Sequence, residues 1–329
     1  EFFFYLTLAD SKQVVQLPAE NFDPESFRLS LDAGLKRFAP GLTKIVALSA
    51  PQIDPQMPPY HLGGPTFSTL ERTITRDYSI RLEDLSDGSV TPEADILAVV
   101  APHKLDETSV FAIDQFLMRG GTVVLATSPF TAEFSSGQLR LQNWDSGIQP
   151  WLAHNDLKIH ETLVLDKQNA KFHAPVSRQS GGYEFLDVQI IDYPYFIDLR
   201  PPGLVPDHAV TGSLPQMTMA WASPIDVKPG QDKRTTILLK STAESWLRDS
   251  TDIMPRLDAD GRSNFNPPAS DSEADSLPLT ASRDLGVVVQ GRFNSYFADR
   301  DNPLAARQGA ESGPPASTQW ATGLLKRSP

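Results

Sequence analysis

Between residues 94 and 129 the period of the apolar positions changes twice. Asp95 to Val100 ends in an unbroken apolar run, the pattern of a strand covered on both faces of a parallel sheet. Val110, Ile113 and Leu117 then recur at i, i+3 and i+7, which predicts a helix with Asp106 as N-cap, Glu107 in its first turn and Gly120-Gly121 as its stop. TVVLATSP, 122 to 129, returns to the apolar run of a buried strand.

The chain before this stretch repeats the alternation. Residues 2 to 8 and 13 to 17 read as two strands of a hairpin about Asp10-Ser11-Lys12. Phe27, Leu31, Leu35 and Phe38 follow near-helical spacing until Pro40-Gly41, and KIVALSA, 44 to 50, predicts another buried strand. Five prolines and two glycines in 51 to 65 exclude regular structure there. A helix over 68 to 78 and a strand over 80 to 85 lead into 95 to 100. Strands alternating with helices predict an α/β fold, a doubly wound and mostly parallel sheet of the flavodoxin-like or glutamine-amidotransferase-like kind.

Past residue 130 the pattern becomes that of a second, α+β portion. Trp151-Leu152 opens a short helix, and strands are expected at 163 to 166, 188 to 191, 217 to 227, 235 to 241 and 284 to 293. Residues 249 to 280 are rich in Asp, Ser and Pro and read as a mobile acidic loop, and the tail from 301 to 329 is linker-like. The expected division is 1 to 150, 151 to 300 and that tail, which suits a chain of 329 residues. The opening EFFFYLTLAD has no basic flank and reads as a strand instead of a signal peptide.

Charge and composition narrow the function. With 29 Lys and Arg against 41 Asp and Glu, the chain lacks the basic excess that nucleic acid or an anionic membrane surface would need. Zero cysteines remove thiolate metal sites, disulfides and cysteine nucleophiles. No apolar run of membrane-spanning length occurs in these residues.

Ligands of open α/β sheets gather beyond the carboxyl ends of the strands, which makes Ser49, Gln52, His61, His103 and Ser128 the candidate ligand-binding residues. None of them completes a catalytic set. Ser49 and Ser128 stand outside a G-x-S-x-G elbow, there is no G-x-G-x-x-G or G-x-x-x-x-G-K-[ST] phosphate loop, and Gly120-Gly121 ends a helix where such loops begin one. His154, His160 and His173 have no partner at helical metal-ligand spacing. Asp258-x-Asp260-Gly261 resembles the start of a calcium loop, but Arg262 and Ser263 stand where an oxygen ligand and a glycine are needed. No metal or cofactor is expected.

DILAVVAPHKLDETSVFAIDQFLMRGGTVVLA is similar to the hallmark segment of the auxiliary proteins of ABC transporters related to the gliding-motility protein GldG, with Asp114, Gln115, Leu117, Met118, Arg119, Gly120 and Gly121 carrying the match. WLAHNDLKIHETLVLD, ending at Asp166, resembles the next family segment, and YPYFIDLR, MAWASPIDV, LLKSTAESWL and VVVQGRFNSYF resemble later ones. The resemblance covers roughly residues 25 to 300 and rests on the order of the segments. It implies the extracytoplasmic, periplasmic part of an inner-membrane subunit, held by membrane helices outside these residues and acting beside an ABC-2 type permease and its ATPase. Many relatives carry a Gly-His-Gly-Glu-like turn after the first sheet strand, where this chain has Ser49-Ala50-Pro51-Gln52, so no ligand role carries over at that turn. Class I glutamine amidotransferases of the same broad fold need a cysteine that is absent here. The expected function is a non-catalytic transporter module that binds a partner or substrate. The alternative is a carbohydrate- or small-ligand-binding α/β domain, or an enzyme, using loops 49 to 65 and 102 to 105.

Overall fold

The computed structural model describes residues 6–9, 14–17, 24, 27–28, 31, 35, 43–51, 67–135, 138–180, 183–228, 230, 232–255, 264–265 and 280–305. The chain divides into two compact units, Glu1–Thr127 with Phe293–Pro329, and Ser128–Arg292. Two parts were expected with limits at 150 and 300. The compact units have theirs at 127 and 292, because a hairpin beginning at Phe130 belongs with the second unit and the chain after Arg292 returns to the first.

The first unit opens with the expected hairpin, β1 (Leu6–Ala9) against β2 (Val14–Leu17). Of the helix expected from residue 24, the described residues 24, 27, 28, 31 and 35 are helical. The body is a parallel sheet of β3 (Ile45–Ser49), β4 (Ser79–Leu82), β5 (Ile96–Val100) and β6 (Thr122–Ala126), in the order β4-β3-β5-β6. This is the flavodoxin-like order: β4 lies on one side of β3, β5 and β6 on the other, so the winding reverses between β3 and β5. The two central strands are buried through their middle three residues, as their apolar runs predict. β6 is the exception to its predicted burial. It is an edge strand with Thr122, Val124 and Ala126 exposed and Val123 and Leu125 half-buried, because an apolar run cannot report whether a neighbour lies on its far side.

Helix α1 (Ser68–Ile74) is shorter than the expected 68 to 78; the chain leaves it through turns at 75 to 77 to reach β4. β4 ends at Leu82 instead of 85. Leu85 is buried in a 3₁₀ turn, Leu85–Asp87, started by Asp84, whose carboxylate accepts from Ser86 N–H at 3.0 Å. Helix α2 (Glu107–Met118) has the predicted N-cap: Asp106 Oδ1 accepts from Ser109 N–H at 2.8 Å. Gly120 supplies the left-handed stop at φ 87. The helix is buried more fully than its stripe implies. Ile113 is wholly enclosed, Thr108, Ser109, Phe111, Ala112, Asp114, Phe116 and Met118 are also buried, and Leu117 is only half-buried.

The second unit is built from antiparallel pairs. Its hairpin β7 (Phe130–Ser135) and β8 (Gln138–Asn143) was not foreseen, whereas helix α3 (Gln149–His154) falls where Trp151-Leu152 predicted it. β9 (Leu157–Ile159) pairs with β14 (Ile225–Val227), and β10 (Leu163–Leu165) pairs with β16 (Trp246–Arg248). The strand expected at 188 to 191 is part of β12 (Tyr183–Leu199), which pairs with β11 (Asn169–Ser180) and, at its far end, with β13 (Met217–Ala220). The run at 217 to 227 is two strands, interrupted at Trp221, which has φ 52. β15 (Lys233–Lys240) and β17 (Asp284–Gly291) form the last pair, close to their predicted limits.

Most of the expected acidic loop 249 to 280 lies outside the described residues. Its described positions include Ile253 and Phe265, both buried in the core cluster of Leu141, Leu163, Leu165, Tyr193, Tyr195 and Trp246. A second cluster joins Val164, Ile197, Leu199, Leu204, Ala222 and Leu285.

Candidate functional site

The reversal of strand order between β3 and β5 brings two of the five candidates to one edge. Ser49 is the last residue of β3 and is in register with Val99 of β5; two residues beyond Val99 begins the turn that carries His103. That turn contains two non-glycine residues in the left-handed region, Ala101 at φ 45 and Lys104 at φ 48, and Ala101 N–H donates to Ala126 O of β6 at 2.8 Å. Ser49 is half-buried and His103 exposed. Ser128 belongs to the second unit, where its hydroxyl accepts from Phe130 N–H at 3.1 Å and shapes the entry to β7. Gln52 and His61 lie outside the described residues.

Two acids that were not among the candidates organise the structure more than any of those five. Asp114 is wholly buried in α2. Its Oδ2 accepts from Ser295 Oγ at 2.6 Å and from Gln115 Nε2 at 3.1 Å, and its Oδ1 accepts from Tyr296 N–H at 3.0 Å. Ser295 Oγ in turn accepts from Phe297 N–H at 3.1 Å, and Phe297 is buried edge-on to Phe111 with ring centroids 5.2 Å apart. The DQFLMRGG segment and the GRFNSYF segment are thus joined through one carboxylate, between residues 181 positions apart in sequence.

Asp166 repeats the device in the second unit. Directly after β10, wholly buried, it accepts from Thr242 N–H and Thr242 Oγ1, each at 2.7 Å, and from Gln168 N–H at 2.9 Å. LVLD and LLKST are tied together by it. For both acids, backbone and hydroxyl donors from the chain itself supply stabilisation of the kind that water would give an exposed carboxylate. One sequence signal was available for Asp114: it stands four residues after Val110, on the apolar side of its helix.

The core of the second unit holds an aromatic group on β12. Tyr193 OH donates to Ile253 O at 2.7 Å and accepts from Trp221 Nε1 at 3.1 Å. Tyr195, two residues on, is equally buried, but its hydroxyl has no hydrogen-bond partner. Burial pushes both phenols up, Tyr195 to about 12, against a smaller lowering by Arg248. Arg248 lies over the Phe265 ring at 5.0 Å, and Phe265 packs edge-on to both tyrosines.

Chemically these arrangements hold a fold together. Among the described residues no group of three or more His, Asp and Glu is placed to hold a metal ion. Of the histidines considered for metal, His160 Nε2 is 2.6 Å from Asp226 Oδ2, a two-residue hydrogen-bonded contact and not a ligand set. Among the described residues no helix is long and apolar enough to cross a membrane.

No curated protein and no solved structure matches the chain. A family model does: residues 47–319 match the family described as an ABC-type uncharacterized transport system. That range takes in all but the first two residues of the parallel sheet, both buried carboxylates and the segments they join, and the chain belongs to this family of ABC transporter auxiliary proteins.

Proposed function

We propose that this chain is the non-catalytic, extracytoplasmic part of an auxiliary subunit that works beside an ABC-2 type permease and its ATPase, in the manner of proteins related to GldG. Membership of the transport family supplies the setting. The observation that supports a non-catalytic role is the state of Asp114 and Asp166, the acids within the two most recognisable segments. Both are wholly buried and engaged by donors of the chain itself, so neither is presented to a substrate. Energy coupling then comes from the separate ATPase, and the membrane is reached through helices outside these residues.

The test is cross-linking of the full-length, tagged protein in membranes of its own host, followed by mass spectrometry. The expected result is cross-links from these residues to an ABC-2 type permease, with its ATPase in the same complex. Cross-links confined to unrelated proteins would refute the reading. Protease added to spheroplasts is expected to cut this part from the periplasmic side; protection there with cleavage from the cytoplasmic side would overturn the location. Millimolar ATP is expected to leave the melting temperature of the purified protein unchanged, whereas a nucleotide present at 100 times its dissociation constant would add about 2.7 kcal/mol.

A further inference from the structure

We propose that the open edge of β6 is the face on which a second copy of this chain docks, by antiparallel pairing of β6 with its own counterpart about a two-fold axis at Val124. The inference does not rest on the transporter reading. In the parallel ladder Thr122 N–H donates to Asp95 O at 3.4 Å and Ala126 O accepts from Ala101 N–H at 2.8 Å, so residues 122, 124 and 126 turn their N–H and C=O groups toward β5. Those of Val123 and Leu125 point the other way, and among the described residues no strand pairs there. One face of this edge is bare as well: Thr122, Val124 and Ala126 are exposed, Val124 by 50%. A parallel sheet ordinarily has both faces covered, as the middle residues of β3 and β5 are here.

Three properties of the edge fit a second copy. Its outward groups are self-complementary: a centre at Val124 sets Val123 against Leu125 of the other copy and Leu125 against Val123, and each pair exchanges two N–H···O bonds, so every outward group finds a partner. A centre at Val123 would instead set Leu125 against Gly121, whose N–H is already given to Phe116 O at 3.1 Å. The charge also suits like meeting like. The chain carries a net charge of −12, yet no residue from Gly120 to Ala132 is charged, so two copies meet here without the repulsion their acidic surfaces produce elsewhere. Finally, the edge lacks the devices that keep sheet edges apart: β6 has no charge, no proline and no register shift, whereas β4, the opposite edge of the same sheet, carries the exposed Arg81. A ladder of 5 residues buries less than the roughly 800 Å² per partner of a standard stable interface, so the dimer is a weak one that forms between micromolar and millimolar concentration.

The chain contains no cysteine, so cysteines placed on β6 report the register directly. Val124→Cys lies on the axis, in a pair whose Cα atoms are about 4.5 Å apart and within disulfide reach, whereas two copies of Ala126→Cys, also an exposed position, are roughly 14 Å apart. Under mild oxidation of the purified chain, Val124→Cys is expected to give a disulfide-linked dimer and Ala126→Cys to stay monomeric. An equal mixture of Thr122→Cys and Ala126→Cys, which the register sets opposite each other, is expected to give the mixed dimer. In sedimentation velocity the parent is expected to shift toward a dimer as its concentration rises, and Val124→Lys, with two like charges facing across the axis, to weaken that dimer about tenfold or more. If Val124→Cys does not fold, the mixed pair and Val124→Lys carry the test. Equal cross-linking of Val124→Cys and Ala126→Cys overturns the pairing, because it reports random collision. A parent that stays monomeric up to millimolar concentration, or a dimer indifferent to Val124→Lys, overturns the proposal. Oxidation of Val124→Cys in host membranes that yields an adduct with another protein in place of the dimer overturns the second copy as occupant.

Discussion

Replacing Asp114 tests the central structural claim quantitatively. The carboxylate has no exposed surface, and its hydrogen-bond donors include Ser295 Oγ, Tyr296 N–H and Gln115 Nε2. In Asp114→Ala the Tyr296 amide and the Ser295 hydroxyl both lose their acceptor in an enclosed place, at about 1–3 kcal/mol for each group left unsatisfied. Gln115 is half-buried and can turn to water, so its loss adds little. The sum is roughly 2–6 kcal/mol, a large part of the 5–15 kcal/mol that ordinarily separates folded from unfolded chains. Asp114→Asn is expected to cost less, about 1–2 kcal/mol: its carbonyl oxygen can still take the Tyr296 N–H, and the Ser295 hydroxyl can rotate to accept from the new amide. Urea unfolding followed by tryptophan fluorescence gives both values. An alanine variant within about 0.5 kcal/mol of the parent, or an asparagine variant worse than alanine, would refute the assignment of Asp114 as a saturated buried acceptor.

The two tyrosines of β12 make opposite predictions. Tyr193→Phe leaves both Ile253 O and Trp221 Nε1 without their partner and should cost about 2–3 kcal/mol, whereas Tyr195→Phe removes a hydroxyl that has no partner and should be neutral or mildly stabilising by denaturant titration; equal effects would refute the hydrogen-bond assignment. The same burial predicts alkaline sensitivity. The folded phenols titrate above the unfolded value of about 10, so the stability linked to them is complete below pH 10 and is lost as pH rises through about 12. Phenolate absorbance followed against pH should show two tyrosines that ionise only with unfolding, and a simple titration of all seven near pH 10 in the folded state would contradict this. Gly121→Ala should destabilise by about 1–3 kcal/mol, because the added Cβ would meet the Phe116 ring at 2.3 Å; a melting temperature equal to the parent's would mean that Phe116 can move aside freely.

Where one local pattern dictates the outcome, the sequence alone was sufficient. The apolar runs of β3 and β5, the capped and glycine-stopped helix α2, and α3 appear where predicted, because burial on both faces and helix-end chemistry leave a signature within a few residues. Segment order also carried the family, since it is preserved along the chain whatever the packing. Tertiary structure decided what depends on distant neighbours. TVVLA could have been a central strand; among the described residues no strand pairs beyond β6, which leaves it an edge. The 167 to 187 stretch held no strong period, yet most of it is the β11–β12 hairpin, whose strands are set by pairing with each other. Ile253 and Phe265, in a segment whose composition reads as solvated, are core residues because an aromatic cluster from β12 waits for them. The site followed the same rule. Strand ends placed Ser49 and His103 on one edge from sequence, but the partners of Asp114 and Asp166 lie 181 and 76 residues away, and nothing local to an acid says which distant donors will enclose it. That choice is made by the fold, through the requirement that a buried charge be met by hydrogen bonds wherever the chain can bring them.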